Sequence, residues 1–478
     1  SIGVHLLNLL TIPAIVLVYF FAKNKKPNLK KTLGVLLLSF LLVALILYGI
    51  VPGVVTLAGH VELFFVNTLG FRYNSGTLFC FLSLLAIIIF SLWKVYRGKW
   101  FVRRARLAAN ILLCLLFILI GYSTFAQVII RASAKVPMNE NNPDEVFGLG
   151  RYLGREQYGD SPLFFGQTFA SDVARNRDGS AKVKTGAPIY GKVVKKDPSE
   201  PDRYVVTGHR EKYEYNYTML FPRMHSKQAH HIEGYKEWSD FKGKKVRVGG
   251  KTITVPTFVE NLKYFLRYQV NFMYWRYFMW NFAGRESDVK CYGEIDRGNW
   301  ISGIPFIDRL LIGSSCDELP AAIRENKGHN VFYMLPLLLG LIGMFWQAYS
   351  GERGIQGFWI VFFLFFMTGL AIVIYLNQTP YPPRERDYAY AGSFYAFAIW
   401  IGMGVAGIIH IINNIMGKNN AVLAGIVTMI CLGVPLQMVS QTWDDHDRSG
   451  RFAARDFGKN YLDSLDENAI IICDGDND

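Results

Sequence analysis

The sequence predicts a mainly α-helical, polytopic membrane protein that carries an α+β domain outside the cytoplasm. Apolar residues make up 51% of the chain and charged residues only 19%, whereas average soluble chains carry about 25% charged residues. Stretches of about 20 mostly apolar residues, the length that crosses a bilayer as a helix, recur along the sequence. The basic residues between them are concentrated in two short loops.

Eight stretches are apolar enough and nearly long enough to span a membrane, so we predict about eight transmembrane helices. They are roughly residues 2–22, 32–55, 77–93, 107–130, 330–349, 357–376, 393–414 and 420–440. This divides the chain into membrane helices over 1–130 and 330–440, an insertion over 131–329, and a tail over 441–478.

Two basic loops predict the orientation of these helices. Residues 23–31 hold five Lys and residues 94–106 hold six Lys or Arg, and neither loop holds an acid. Short cationic loops beside apolar spans stay in the cytoplasm. The insertion 131–329, the loop 377–392 and the tail therefore lie outside. The net charge of +13 is explained by this pattern, and no nucleic-acid partner is predicted.

The outer insertion is predicted to contain strands and one unusual helix. Residues 187–208 and 243–257 have the alternation of strands, and the second segment is a hairpin around Gly249-Gly250. Residues 261–283 hold ten aromatics together with three basic residues. Aromatic and basic side chains suit the headgroup layer, so we predict an interfacial helix. A helix buried within the outer domain is the alternative.

Several smaller features are left open by the sequence. Cys291 and Cys316 both lie in the outer region, where a disulfide can form. His225, His230 and His231 are close in sequence but give only a weak metal signal, and no metal site is predicted. The DxDxD pattern of Asp474, Asp476 and Asp478 follows a predicted strand and leaves a divalent cation open as a cofactor. We expect both chain ends to be truncations.

The loop after the sixth predicted span is the first candidate site. Residues 377–388 (NQTPYPPRERDY) contain three prolines, which stiffen the backbone. Arg384 and Arg386 are held near the headgroup level, where a guanidinium binds phosphate oxygens in a bidentate manner. A lipid-linked phosphate is the predicted ligand. The alternative is a loop whose arginines pair with Glu385, Asp387 and lipid headgroups.

A second polar cluster follows the eighth predicted span. Residues 443–451 (WDDHDRSGR) hold three carboxylates, an imidazole and two guanidinium groups. A general base or a metal ligand is predicted from the carboxylates or the imidazole. The alternative is a helix start, where acidic residues are favoured by the helix dipole. The predicted catalytic residues are Asp444, Asp445, His446 and Asp447. The predicted substrate-binding residues are Arg384, Arg386, Asp387 and Arg448.

Longer motifs along the chain resemble a known family. They are Gly154–Asp160 (GREQYGD), Phe221–Met224 (FPRM), Tyr274–Phe282 (YWRYFMWNF), Gly298–Gly303 (GNWISG), the PRERDYAY loop and the WDDHDRSGR segment. Together they resemble a large bacterial family of multipass membrane proteins of unknown function. That family is grouped with the GT-C type, protein O-mannosyltransferase-like glycosyltransferases. The resemblance implies a GT-C-like fold in the bacterial inner membrane and a catalytic acid in an outer loop that precedes this chain.

The function implied by the resemblance is glycosyl transfer at the outer face of that membrane. A polyprenyl-phosphate-linked sugar would be the donor, and a protein hydroxyl or an envelope glycan the acceptor. Two other functions remain open. A transporter or flippase predicts ionisable residues at mid-depth within the spans, and these spans are nearly free of them. A non-catalytic envelope scaffold predicts only a protein-binding outer domain.

Overall fold

The computed structural model describes residues 6–24, 27–98, 104–136, 139, 141–154, 156, 161–197, 199–417 and 419–472. The chain divides into two compact units, and each is described by itself. Unit 1 comprises residues 1–277 and 340–404, and unit 2 comprises residues 278–339 and 405–478. The three acidic residues of the DxDxD pattern lie outside the described residues.

Helices dominate the described chain. In chain order they are α1 (Asn8–Lys23), α2 (Leu29–Thr68), α3 (Ser75–Tyr96), α4 (Ala105–Ser133), α5 (Val146–Gly154), α6 (Ala229–Ser239), α7 (258–282), α8 (Pro305–Ile312), α9 (Ala321–Arg324), α10 (Leu335–Tyr349), α11 (Gly351–Leu376), α12 (Asp387–Met416), α13 (Ala421–His446) and α14 (Ala453–Asp463).

Six of these helices are long and apolar enough to cross a membrane, namely α2, α3, α4, α11, α12 and α13. This confirms a multipass membrane protein. The first and fifth predicted spans correspond to α1 and α10, which are apolar but shorter than 18 residues. The prediction of about eight spans is therefore confirmed for six helices by length and composition.

Helix α2 is longer than a bilayer requires. Its 40 residues correspond to about 60 Å at 1.5 Å per residue, about twice the hydrocarbon thickness. Near its C-terminal end the carboxylate of Glu62 is fully buried and accepts hydrogen bonds from the backbone N–H groups of Asn74 and Thr77. Glu62 thus caps the start of α3, where a negative charge is favoured.

The strands form four separate two-stranded antiparallel pairs. The pairs are β1 (Phe165–Gly166) with β4 (Met219–Leu220), β2 (Val183–Lys192) with β3 (Tyr204–Tyr213), β5 (Lys244–Val248) with β6 (Lys251–Val255), and β7 (Gly284–Arg285) with β8 (Asn330–Val331). Both predicted strand regions are confirmed. Gly249 and Gly250 have φ of 56° and 81°, the positive values that a tight hairpin turn between twisted strands requires.

The aromatic helix α7 buries the rings that the sequence analysis placed among lipid headgroups. Tyr264, Tyr268, Tyr274 and Tyr277 are each at most 2% exposed, and they pack within unit 1. These rings are therefore core residues, as in the alternative of a buried helix, and the prediction that α7 lies at the membrane surface stays a prediction. Their burial follows from large apolar ring area, which is stabilised by contact with other rings. The exposed large side chains of α7 include both aliphatic and aromatic residues, namely Phe258, Val259, Leu262, Leu266 and Trp275.

Unit 2 is organised around short hydrogen-bonded connections. The buried carboxylate of Asp308 accepts hydrogen bonds from the backbone N–H groups of Ser302 and Gly303. The thiol of Cys316 lies 3.2 Å from the same carboxylate, and that of Cys291 lies 3.7 Å from the carbonyl oxygen of Gly298. The two cysteines are therefore not joined to each other.

The chain after α14 does not form the strand that was predicted there. Residues 469–472 have no strand partner within the described chain, and the side chains of Ile470 and Ile472 are each 90% exposed. An apolar run of this kind becomes a strand only where another strand pairs with it. The prediction of a strand at this position is therefore wrong for the described residues.

Candidate functional site

The loop between α11 and α12 is fixed at its first residue. Asn377 follows the last turn of α11 with φ of 42°, a conformation that asparagine tolerates better than most residues. Its side-chain Nδ2 donates to the carbonyl oxygens of Pro162, at 2.8 Å, and Pro222, at 3.0 Å. The side chain is almost fully buried. Asn377 therefore ties two distant segments of unit 1 to the end of a candidate membrane helix.

Helix α7 holds the next two residues of the loop through their backbone carbonyls. The hydroxyl of Tyr264 and the amide of Gln269 donate to the carbonyl oxygen of Gln378, at 2.9 and 2.8 Å. The hydroxyl of Tyr268 donates to the carbonyl of Thr379 at 3.1 Å. The loop is thus restrained by buried hydrogen bonds as well as by its prolines. These bonds explain why the polar ends of the aromatic side chains face inward.

Helix α6 approaches the same loop closely because it has a glycine at the contact. A Cβ atom on Gly234 would lie 2.6 Å from Cβ of Pro380 and 2.8 Å from the ring of Tyr381. Only glycine permits this separation without moving the loop. The contact brings the first turn of α6, with His230 and His231, beside the loop that contains Arg386.

These segments line a partly open cavity of about 370 Å³, within the size range of small-molecule sites. The lining residues are Ser161, His225, Gln228, His230, His231, Leu376, Asn377, Gln378, Thr379, Tyr381, Pro382, Pro383 and Arg386. Among them one side chain, that of Arg386, carries a permanent positive charge, and no described lining residue is a carboxylate. The wall is therefore electropositive and rich in hydrogen-bonding groups.

The arginines of the loop are not neutralised by the neighbouring carboxylates. Glu385 forms its ion pair with Arg276 of α7, at 2.8 Å, with both side chains largely buried, and it also accepts a hydrogen bond from Tyr277. Within the described chain neither Arg384 nor Arg386 has a carboxylate within ion-pair distance. The alternative in which these arginines pair with Glu385 or Asp387 is therefore not observed.

Arg384 and Arg386 differ in position. Arg386 is half-buried and lines the cavity, and its backbone N–H donates to Tyr277 at 3.2 Å. Arg384 and Asp387 are absent from the lining, and the side chain of Arg384 is exposed. Both arginines are predicted from the sequence to bind substrate, and the structure brings one of them to the cavity.

Buried polar atoms without a partner cluster around this loop. In the described chain both amide atoms of Gln378 lack a hydrogen-bond partner, as do Nε of Arg386, Oε1 of Glu385 and the hydroxyl of Tyr390. Gln378 is only 8% exposed. Of these residues, Gln378 and Arg386 line the cavity. Since most buried polar groups in proteins are hydrogen-bonded, their unpartnered atoms indicate a place where a polar ligand or water completes the bonding.

Two of the cavity histidines, His225 and His231, have lowered pKa values and are neutral at pH 7. Burial lowers the pKa of His225 to about 4. Burial and the neighbouring His230 lower the pKa of His231, whose Nδ1 lies 2.8 Å from the hydroxyl of Ser226. Neutral imidazoles donate one hydrogen bond and accept another. Among the described residues no group of three His, Cys, Asp or Glu is arranged to hold a metal ion.

Arg223, from the FPRM motif, does not line the cavity but holds two segments next to it. Its guanidinium is fully buried, and Nη1 donates to the carbonyl oxygen of Ile374 at 2.9 Å while Nη2 donates to that of Leu163. Burial lowers its pKa to about 10, so it stays charged at neutral pH. A cation at the last turn of α11 complements the negative end of that helix and positions the following Asn377.

The second predicted cluster belongs to unit 2 and ends a helix. Asp444, Asp445 and His446 form the last turn of α13, and Asp447 is its C-cap. The alternative that explained the acids as a helix start is therefore wrong. Carboxylates at a helix C-terminus are disfavoured by the dipole, so helix stability does not account for them.

The members of this cluster have different surroundings. Oδ2 of Asp445 accepts a hydrogen bond from Asn330 of β8 at 2.9 Å, and His446 contacts Oδ1 of the same carboxylate. The backbone N–H of Ser449 donates to Asp447 and lowers the pKa of that carboxyl. Asp444 and Arg448 are exposed. That the residues of this cluster act in one site with Arg384 and Arg386 stays a prediction.

Comparison with known proteins gives one match. Residues 159–266 match a family of unknown function, DUF8416. This segment includes the β2–β3 and β5–β6 hairpins, helix α6 and the start of α7, and so it supplies one wall of the cavity. Neither a curated protein nor a solved structure matches the chain.

Sequence patterns did not predict the histidine side of the cavity. His225, His230 and His231 were noted only as neighbours in sequence, and they meet Arg386 across more than 150 residues of chain. The available signal was indirect. Gly234 lies four residues after His230 inside a helix, and a glycine in a helix interior often marks a close contact.

Proposed function

We propose that this chain is the membrane portion of a GT-C type glycosyltransferase that binds a polyprenyl-phosphate-linked sugar in the cavity beside Arg386. The observation that carries the proposal is the group of buried, unpartnered polar atoms around an electropositive cavity. Arg386 keeps its charge available because Glu385 is paired with Arg276. A phosphate supplies the acceptor oxygens that Arg386 and Gln378 lack.

The position of the cavity suits a lipid-linked donor. The loop 377–386 joins α11 to α12, both of which are long enough to cross a membrane. A loop of this length between two spans emerges at one face of the bilayer, at the depth of the lipid phosphates. A polyprenyl phosphate can therefore place its phosphate beside Arg386 while its chain stays among the lipids.

The chemistry proposed is displacement at the anomeric carbon of the sugar. The acceptor hydroxyl forms the new C–O bond, the bond from the sugar to the lipid phosphate breaks, and its electrons stay on the phosphate. Arg386 stabilises that leaving group through charge-assisted hydrogen bonds. The hydroxyl proton goes to a carboxylate that acts as the general base. The sequence prediction of Asp444, Asp445, His446 and Asp447 for this role stays a prediction.

The transporter alternative gains no support from the ionisable groups in the candidate spans. Glu62 is fully buried within α2, yet it is 33 residues from Leu29, or about 50 Å along the helix. Its carboxylate is occupied in capping α3. A scaffold role predicts no anion-binding cavity, so anion binding separates it from the proposal.

The experiment measures glycosylation of envelope acceptors in cells that carry the native full-length gene or one of three variants of it. The variants are Arg386→Lys, Arg386→Gln and Arg247→Lys. Arg247 is an exposed arginine of β5 and provides the matched control. Charge-assisted hydrogen bonds contribute about 1.5–3 kcal/mol, so Arg386→Gln should lower donor use by about 10- to 150-fold. Unchanged glycosylation with both Arg386 variants at normal expression would reject the proposal.

A further inference from the structure

The cavity has a second pole that attracts anions, in addition to Arg386. Gln228, His230 and His231, which begin α6, line it. Within the described chain the backbone N–H groups of residues 229–231 have no acceptor, and the side chain of Gln228 makes no capping hydrogen bond. An uncapped helix N-terminus carries a partial positive charge and free donors, which together bind phosphate groups.

Gln378 gives an independent indication that a ligand occupies this space. Its side chain lines the cavity and is more than nine-tenths buried. Both its amide nitrogen and its amide oxygen lack a partner in the described chain. The nitrogen can donate to a phosphate oxygen, while the oxygen can accept from a protonated or hydroxyl group of the same ligand.

We infer that the cavity binds a diphosphate, with one phosphoryl group at Arg386 and the other at the start of α6. This rests on the proposed function, because it assigns the class of donor to the same cavity. A monophosphate needs one cationic pole. Two such poles, with no carboxylate among the described lining residues, match two linked phosphoryl groups. The donor would then be a lipid-diphosphate-linked sugar.

The test measures binding of inorganic pyrophosphate and inorganic phosphate to the full chain in nanodiscs by calorimetry. Pyrophosphate should bind at least about tenfold more tightly than phosphate, since it gains the second set of charge-assisted bonds. Equal affinities for the two anions would overturn the inference.

One substitution tests the contribution of the α6 N-terminus to anion binding separately from that of Arg386. Ala229→Pro removes an N–H at the first helical position, where proline is well tolerated, and the preceding Gln228 is already extended, with φ −65° and ψ 133°. The variant should weaken pyrophosphate binding about three- to tenfold and leave phosphate binding unchanged. Arg386→Gln should weaken both. An equal loss for both anions in Ala229→Pro would contradict the two-pole arrangement.

Competition by lipids separates this inference from the proposed function. A polyprenyl diphosphate in the nanodisc should displace pyrophosphate better than the corresponding monophosphate does. Equal displacement by the two lipids would refute the diphosphate assignment and leave the proposed function intact. Displacement by a soluble nucleoside diphosphate but by neither lipid would refute both the lipid source and the proposed function.

Discussion

Removing the charge of Glu385 should destabilise the loop, because the buried Arg276 would then lose the carboxylate with which it forms its ion pair. In the structure the Arg276 and Glu385 side chains are 6% and 17% exposed, and their atoms are 2.8 Å apart. Removing one partner of a buried pair of this kind costs about 3–5 kcal/mol. We therefore expect Glu385→Gln to lower the free energy of unfolding by about 3 kcal/mol, at the lower end since Gln can still bond to Tyr277.

A double-mutant cycle tests this pairing. Arg276→Met with Glu385→Gln removes both charges, so the double variant should lose much less stability than the sum of the two single variants. The coupling is measured by thermal and denaturant unfolding of the detergent-solubilised chain. Additive effects would show that Glu385 does not compensate Arg276. In that case Glu385 can pair with Arg386 instead, and the guanidinium of Arg386 is not available to bind a phosphate.

Three further predictions concern the cavity walls. Gly234→Ala should lower the free energy of unfolding by about 1–3 kcal/mol through overpacking against Pro380, and it should weaken anion binding. Gly425→Ala, which adds its Cβ in open space, is the control and should have neither effect. Unfolding and anion-binding assays measure the two effects. Arg384→Lys should reduce donor use less than Arg386→Lys, and an equal loss would mean that both arginines bind the donor. Binding of sulfate, which stays dianionic in this range, should strengthen as the pH falls from 8 to about 5.5, a range chosen around the usual pKa of histidine, and His231→Gln should flatten that profile.

The sign of the pH effect follows from the groups that face His231. Burial and His230 lower its pKa in the free protein, so it is neutral at pH 7. A bound anion favours the imidazolium, and binding then takes up a proton, so affinity rises as the pH falls and is constant well above the pKa of the complex. His225, with a pKa near 4, and Arg386 do not titrate in this range. If the affinity of the native protein for the anion did not change with pH, the role assigned to His231 would be contradicted.

The elements with a strong local pattern were predictable from the sequence. Apolar length identified the six helices that can cross a membrane, because a span needs about 20 apolar residues. Alternation and two glycines identified the β5–β6 hairpin. In each case the information lies within a few neighbouring residues.

The failures have a common physical cause, which is that the deciding contact is distant in sequence. Ten aromatics with three basic residues in 261–283 suit either a lipid interface or a protein core. The choice was made by partners such as Thr379 and Glu385, more than 100 residues away. Likewise, Asp444 and Asp445 were consistent with either end of a helix, and the continuation of α13 to His446 decided it.

The orientation in the membrane remains a prediction that labelling can test. The two basic loops predict residues 23–31 and 94–106 on the cytoplasmic side and 131–329 on the outer side. Single cysteines in a cysteine-free background should react with an impermeant reagent in intact spheroplasts at position 240 and not at position 99. The reverse pattern would invert the topology and place the cavity on the cytoplasmic face.

The central claim is that a lipid-linked phosphate binds beside Arg386, and the most direct measurement is a cryo-electron microscopy map of the full chain in nanodiscs that contain a polyprenyl monophosphate. The account predicts phosphate density in the cavity, within hydrogen-bonding distance of the Arg386 guanidinium and the Gln378 amide. An empty cavity at saturating lipid, or phosphate density bound elsewhere on the protein, would contradict it.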